Sequence, residues 1–108
     1  MKRGEVWWVN FDPAIGSEIK KIRPAVIVSN NSANTHLDRV VVLPITSNVA
    51  RFYPGEAAVT VAGKAGKVMV DQIMSADKQR LSKRLDVLSK EGMQAVEQAV
   101  LVHLGLPI

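Results

Sequence analysis

The 108-residue chain contains no cysteine. That excludes disulfides and thiolate metal sites, and it makes a reducing cytoplasm the expected home. Histidine is scarce as well: His36 and His103 lie far apart, and neither has a second ligand type at helical spacing. No stretch is long and apolar enough to span a bilayer. Acidic Glu5 interrupts the start MKRGEVWWV, and no small-residue cleavage site follows, so the layout does not fit a signal peptide. There is no Gly-rich phosphate loop, no nucleophile elbow around a serine and no dense group of carboxylates that would serve two metals. Internal repeats, low-complexity tracts and linkers are also absent.

What is present is a small, core-forming chain with a basic balance. Hydrophobic residues make up 47% of it, enough for a core in one domain spanning residues 1–108. The formal net charge is +4, which favours a polyanionic partner such as nucleic acid. The cations cluster: Lys20, Lys21 and Arg23 in one place, Lys78, Arg80, Lys83 and Arg84 in another. A domain of this size buries a modest share of its surface, so self-association would help it.

Five strands are expected. EVWWVNF (residues 5–11) is aromatic and β-branched, with apolar residues on both faces, as in an internal strand. DPAIGSEIKK follows as a long loop. PAVIVSN starts a second strand at Pro24, where a missing N–H costs least. NSANTHLD is expected to be a polar connection. RVVVLPITS is a third strand in which Pro44 predicts a bulge or an edge. NVARFYPG is a loop with a Pro-Gly turn. EAAVTVAG and KVMVDQI are two further strands, joined as a hairpin through Gly63 and Gly66. SADKQRL predicts one helical turn capped by Ser75 or Asp77. Ser89 is a cap for a helix over residues 90–104, with Met93, Val96, Val100 and Leu104 on one stripe and Gly105 and Pro107 at its end. Trp7 and Trp8 point to opposite faces; both are assigned to the core, with an interface or a stacked base as the alternative for one of them. His103 is expected to be structural and His36 solvated. Strands followed by a terminal helix make the fold mainly β, a small curled sheet or partial barrel with the helix packed on it.

Several segments, taken in order, carry a family resemblance: RGEVWWVNFDPAIGSE, KIRPAVIVSN, LPITSN, YPGE and VDQIMSADKQRL. Together they resemble the MazF/PemK toxins of prokaryotic toxin–antitoxin systems, over nearly the whole chain from Arg3 to about Leu106. The resemblance implies an SH3-like (CcdB/PemK-type) β-barrel with a C-terminal helix, acting as a homodimer. It implies an endoribonuclease that cuts single-stranded RNA with no metal and no other cofactor. The ribose 2′-hydroxyl attacks the adjacent phosphate, leaving a 2′,3′-cyclic phosphate and a 5′-hydroxyl. An antitoxin partner is implied too, expected to lay an extended acidic segment along the RNA groove.

By the same resemblance the catalytic arginine falls on Arg23 and the catalytic threonine on Thr46. Glu18, in a first loop expected to be mobile, helps to bind RNA and antitoxin. Ser17, Lys20, Lys21, Ser47 and Gln72 complete the expected substrate-binding set. These residue types suit the chemistry. A guanidinium presents a planar fork of donors to phosphate oxygens and stays charged. Pro24 restricts the backbone at Arg23 to extended conformations. The Thr46 hydroxyl is a poor base and is assigned to positioning and oxyanion contact; no base for the 2′-hydroxyl stands out. The chain departs from many relatives at Met74, where a basic residue is usual, and its first loop has no histidine. Lys78 and Arg80 are candidates to replace the missing cation. Two rival functions share this fold: a nucleic-acid binder without catalysis, and a gyrase-poisoning toxin.

Overall fold

The β-branched and aromatic run Val6-Trp7-Trp8-Val9 favours extended backbone, and β1 (Glu5–Asn10) takes an internal place in an antiparallel array, paired on both sides. The computed structural model describes residues 1–53 and 56–108. On one side of β1 runs β2 (Ile22–Ile27), followed by β3 (Arg39–Thr46). The remaining strands are β4 (Glu56–Val61), β5 (Lys64–Met69), β6 (Met74–Asp77) and β7 (Leu81–Val87). The order is β4-β5-β3-β2-β1-β7, and β6 also pairs with β3.

Both faces of the central strands are buried. On one face β1, β2, β3, β6 and β7 curl around Val9, Phe11, Ala25, Ile27, Val40, Val42, Ala76 and Leu81. This is the interior of a small, partly closed barrel of the expected SH3-like kind. On the other face Val6, Val26, Leu43 and Ile45 pack under β4, β5 and the terminal helix α2 (Lys90–His103), against Val59, Val68, Leu88 and Val96. Alternate residues of the same strands thus serve two cores.

Several details differ from expectation. Among the described residues there are seven strands, not five. The segment NSANTH is a short helix α1 (Asn31–His36), whose cap Asn30 accepts a hydrogen bond from the Ala33 N–H. β2 begins at Ile22, so Pro24 is its third residue. Pro44 lies at neither an edge nor a bulge, because β3 changes partner around it. Residues Arg39–Val42 pair with β6, and Ile45 and Thr46 pair with β5. A proline at that switch wastes no ladder bond on that side. The β4–β5 turn is Ala62-Gly63, both at positive φ (49° and 79°), as a two-residue turn of the primed type requires; Gly66 lies within β5. Asp77, not Ser75, caps the turn after β6, a 3₁₀ turn over Lys78–Arg80. The expected turn at residues 54 and 55 lies outside the described residues.

The helix is as expected: the Ser89 hydroxyl accepts from the Gly92 N–H, and Val96 and Ala99 are buried. Leu104 and His103, however, are exposed, so His103 is not a core residue. His36 is exposed, as expected.

Candidate active-site cleft

The β2–β3 register pairs Ala25 with Pro44. Arg23, near the start of β2, and Thr46, at the end of β3, each lie two residues beyond that pair. Both side chains line one cleft of about 370 Å³. Its apolar surface comes from Trp8, Ile22, Pro24, Ile45, Val61 and Leu85, and Ser47 and Lys64 join the polar part. Such a cleft, mostly apolar with a few converging polar groups, is the usual form of a ligand site.

Local chemistry fixes Arg23 at its base. Its Nε donates to the Lys20 carbonyl at 2.9 Å, which leaves the two terminal amino groups of the fork for a ligand. Just upstream, Lys21 adopts a left-handed conformation with φ of 71°. Its N–H donates to Asp12 Oδ1 and its carbonyl accepts from the Phe11 N–H. These bonds hold the strained residue and set the angle at which β2 enters. The Thr46 hydroxyl accepts the Asn48 N–H at 3.2 Å, which leaves its own proton free to donate. On β5, next to the Thr46 partner Lys67, Gly66 permits a close approach: a Cβ there would lie 3.0 Å from Ile45 Cγ2 and 3.3 Å from the Thr46 carbonyl.

The hairpin β4–β5 forms another wall. Its tip is pinned by Asp86, whose carboxylate accepts the Ala62 N–H and the Val87 N–H, each at 2.7 Å. These bonds, the one from Ala62 foremost, hold the Asp86 carboxyl below its ordinary 3.8. A lowered folded pKa gives stability that is complete above the unfolded value and is lost as pH falls through the folded one. Asp86→Asn is therefore expected to be less stable than the parent at pH 7, with the difference shrinking as pH falls below 3.8 and through the lower folded value. Paired urea melts at pH 7 and through the acid range check this.

The remaining expected residues fall elsewhere. Ser17, Glu18 and Gln72 line a second cleft with Phe11, Pro13, Ile19, Asp71, Ile73 and Met74. There Gln72 Oε1 accepts the Ile19 N–H at 3.0 Å, and Glu18 Oε1 accepts the Ile15 N–H at 2.7 Å. The first loop is thus tied at its base and around Ile19, while its tip, Ile15–Ser17, is exposed. Lys20 and Lys21 are exposed and line neither cleft. Lys78 and Arg80 do not take the place of a cation at Met74. Lys78 Nζ donates to the Asn34 carbonyl, and Arg80 donates to the carbonyls of Asn10 and Asp12, where it braces the first loop.

Two further residues mark the first cleft. Trp8 is half-buried and lines the cleft, whereas Trp7 packs against the barrel core and donates its Nε1 proton to Glu5. Burial pushes the Glu5 carboxyl up. Hydrogen bonds from the Lys2 N–H and Trp7, with the nearby positive charges of the amino terminus and Arg84, outweigh it and leave the carboxyl below its usual value. Lys64 gives no local signal in the sequence, because only the hairpin carries it to the cleft. Among the described residues, no group of three His, Asp or Glu side chains is placed to hold a metal ion.

Barrel, helix and cleft together match one class of protein. The profile for the PemK-like, MazF-like toxins of type II toxin–antitoxin systems matches residues 2–104, and the chain belongs to that family. It is similar to Endoribonuclease MazF9 of Mycobacterium tuberculosis, 39% identical over 98% of both chains. Among solved structures, it resembles MazF from Deinococcus radiodurans with a TM-score of 0.87 and 28% identity, over 98% of this chain and 97% of that one. It also resembles a mycobacterial endoribonuclease solved in complex with its cognate antitoxin, with a TM-score of 0.84 and 28% identity, over 100% of this chain and 98% of that one.

Proposed function

We propose that the protein is the toxin of a toxin–antitoxin pair and cuts single-stranded RNA at short sequences without a metal ion. The observation that supports this reading is that Arg23, Thr46 and Trp8 line one cleft. A phosphodiester seated there offers its non-bridging oxygens to the guanidinium and the hydroxyl. The ribose 2′-oxygen attacks phosphorus and loses its proton. The bond to the 5′-oxygen breaks, and that oxygen takes up a proton. The products are a 2′,3′-cyclic phosphate and a 5′-hydroxyl.

Negative charge grows on the phosphate oxygens during attack, and preorganised donors stabilise it most there. Trp8 supplies an apolar face on which a base can stack. Ser17, Glu18 and Gln72, in the second cleft, would meet the RNA or the antitoxin away from the cut. The similar mycobacterial endoribonuclease, solved with its cognate antitoxin, supports an antitoxin partner, here one that delivers an extended acidic segment. The reading also includes a homodimer and a cytoplasmic location. No helix is long and apolar enough to cross a membrane among the described residues.

The test is incubation of the purified protein with a long RNA in excess EDTA, followed by end mapping. Cuts at a recurring short sequence with 5′-hydroxyl ends are expected. RNA left intact, or 5′-phosphate ends, would overturn the mechanism.

A further inference from the structure

Among the described residues, the charged ones that line the Arg23 cleft are two, Arg23 and Lys64, and no Asp or Glu is part of that lining. They reach the cleft from separate walls: Arg23 from β2, Lys64 from the first position of β5, where it pairs with Val61 across the hairpin turn. Ala62, Ala65 and Gly66, the neighbours of Lys64 on that wall, carry one methyl group or none. Lys64 therefore supplies that wall's reach and all of its formal charge. Five other cations of the fold are engaged. Lys67 and Lys78 donate to carbonyls, Arg80 holds the first loop, and Arg3 and Arg84 pair with Glu97 and Glu5. Among the described residues, Lys64 makes no ion pair and no side-chain hydrogen bond, and it is exposed.

An unpaired ammonium on a short, pinned hairpin has a defined place. The turn holds two residues, and Asp86 fixes it through the Ala62 N–H. A single RNA strand lying over Trp8 with one phosphate on Arg23 passes the hairpin tip with a neighbouring phosphate. We infer that Lys64 binds the RNA backbone as the second cation of this cleft, gripping a phosphate next to the one that is cut. This rests on the ribonuclease reading above. A lysine suits the task, because a point charge on a flexible stem follows the strand without demanding one geometry. A contact of this kind carries no base preference. Its effect falls on affinity, with little on the chemical step.

The experiment compares the parent with Lys64→Ala, Lys64→Gln, Lys64→Arg and Lys90→Ala, the last removing an exposed charge outside the cleft. Binding to a mixed-sequence 2′-O-methyl RNA, which resists cutting, is followed by fluorescence anisotropy from 50 to 300 mM KCl. One lost single-strand phosphate contact lowers the salt slope by about 0.7 and weakens binding about fourfold near 0.15 M salt. Lys64→Ala and Lys64→Gln are expected to show that loss and a matching rise in KM for RNA cutting. Lys64→Arg restores the slope, and Lys90→Ala leaves it intact. Equal slopes and KM values for the parent and Lys64→Ala, with the parent cutting RNA, overturn this inference and leave the ribonuclease reading standing. A loss of the same size in Lys90→Ala overturns it too, since the effect would then be one of net charge. A parent that neither cuts nor binds RNA overturns both.

Discussion

Arg23→Ala is expected to fold normally and to cut RNA about 10²–10³-fold more slowly, the cost of removing one preorganised donor from a developing oxyanion. The fold should survive because Arg23 contributes mainly backbone to the sheet. Its partner across β1 is Val9, and that pairing needs no side chain from residue 23. Among the described residues, the one hydrogen bond of its side chain, from Nε to the Lys20 carbonyl, belongs to an exposed loop that keeps its ties through Lys21 and Asp12. The chemistry should fail because the remaining cation of the cleft, Lys64, enters from the hairpin and serves a different phosphate. Arg23→Lys is expected to recover only part of the rate. A lysine can replace the charge but cannot hold the Lys20 carbonyl and present a planar pair of donors at the same time. Single-turnover cutting of RNA in EDTA, with circular dichroism melts of the same samples, measures both halves. Parent-like cutting by Arg23→Ala would remove that residue from the mechanism.

Local pattern carried much of this molecule, and it failed where partners decide. β1, β2, β3 and α2 announce themselves through β-branched runs and a capped apolar stripe. β7, LSKRLDV, does not. It is an edge strand with Ser82, Lys83 and Arg84 exposed and only Leu81 buried. Its ladder with β1 also slips twice, at Val6/Trp7 and at Trp8/Val9. Each slip breaks the two-residue alternation from which a strand is recognised. α1 is six residues, all polar but Ala33, held by an Asn30 cap and too short for any helical stripe to appear. The second core was equally hidden, because apolar residues on both faces of β2 show burial without naming what covers each face.

The site divides in the same way. The resemblance placed Arg23 and Thr46, and strand register brings both to one cleft. It grouped Ser17, Glu18 and Gln72 with them, whereas the fold sets these three around another cleft. Trp8 and Lys64 depend on contacts made by β2 and by the β4–β5 turn, so nothing within a few residues of either marks them. Lys67 is a sharper case. It stands in the sequence as the polar start of an apolar run, yet it is one of two buried polar residues among those described.

Lys67→Ala is expected to cost about 3–5 kcal/mol of stability, the range for breaking one partner out of a buried ion pair. Lys67 is only 7% exposed, and it lies opposite Thr46 in the β3–β5 pairing. Its ammonium donates to the Arg51 carbonyl at 2.6 Å and to Glu56 Oε1 at 3.3 Å. The rings of Phe52 and Tyr53 lie 5.7 and 5.6 Å from it, within range of a cation–π attraction. Glu56 Oε1 also accepts the Tyr53 N–H at 2.6 Å. One cation thus gathers the segment that follows Thr46 and anchors it to β5. Removing it strands a carboxylate that is itself nearly buried, orphans a carbonyl and leaves a cavity. Lys67→Met fills the volume but not the charge, so it should remain close to Lys67→Ala. Adding Glu56→Gln to Lys67→Met should recover much of the loss, because the second change removes the charge that the first left unpaired. Urea unfolding at one fixed protein concentration compares the four proteins without interference from self-association. A parent-like midpoint for Lys67→Ala, or a double variant no better than Lys67→Met, would show that the pair is not what holds this segment. If the pair does hold it, Lys67→Ala should also cut RNA poorly below its melting temperature, since Thr46 and Ser47 sit at the root of the segment it releases.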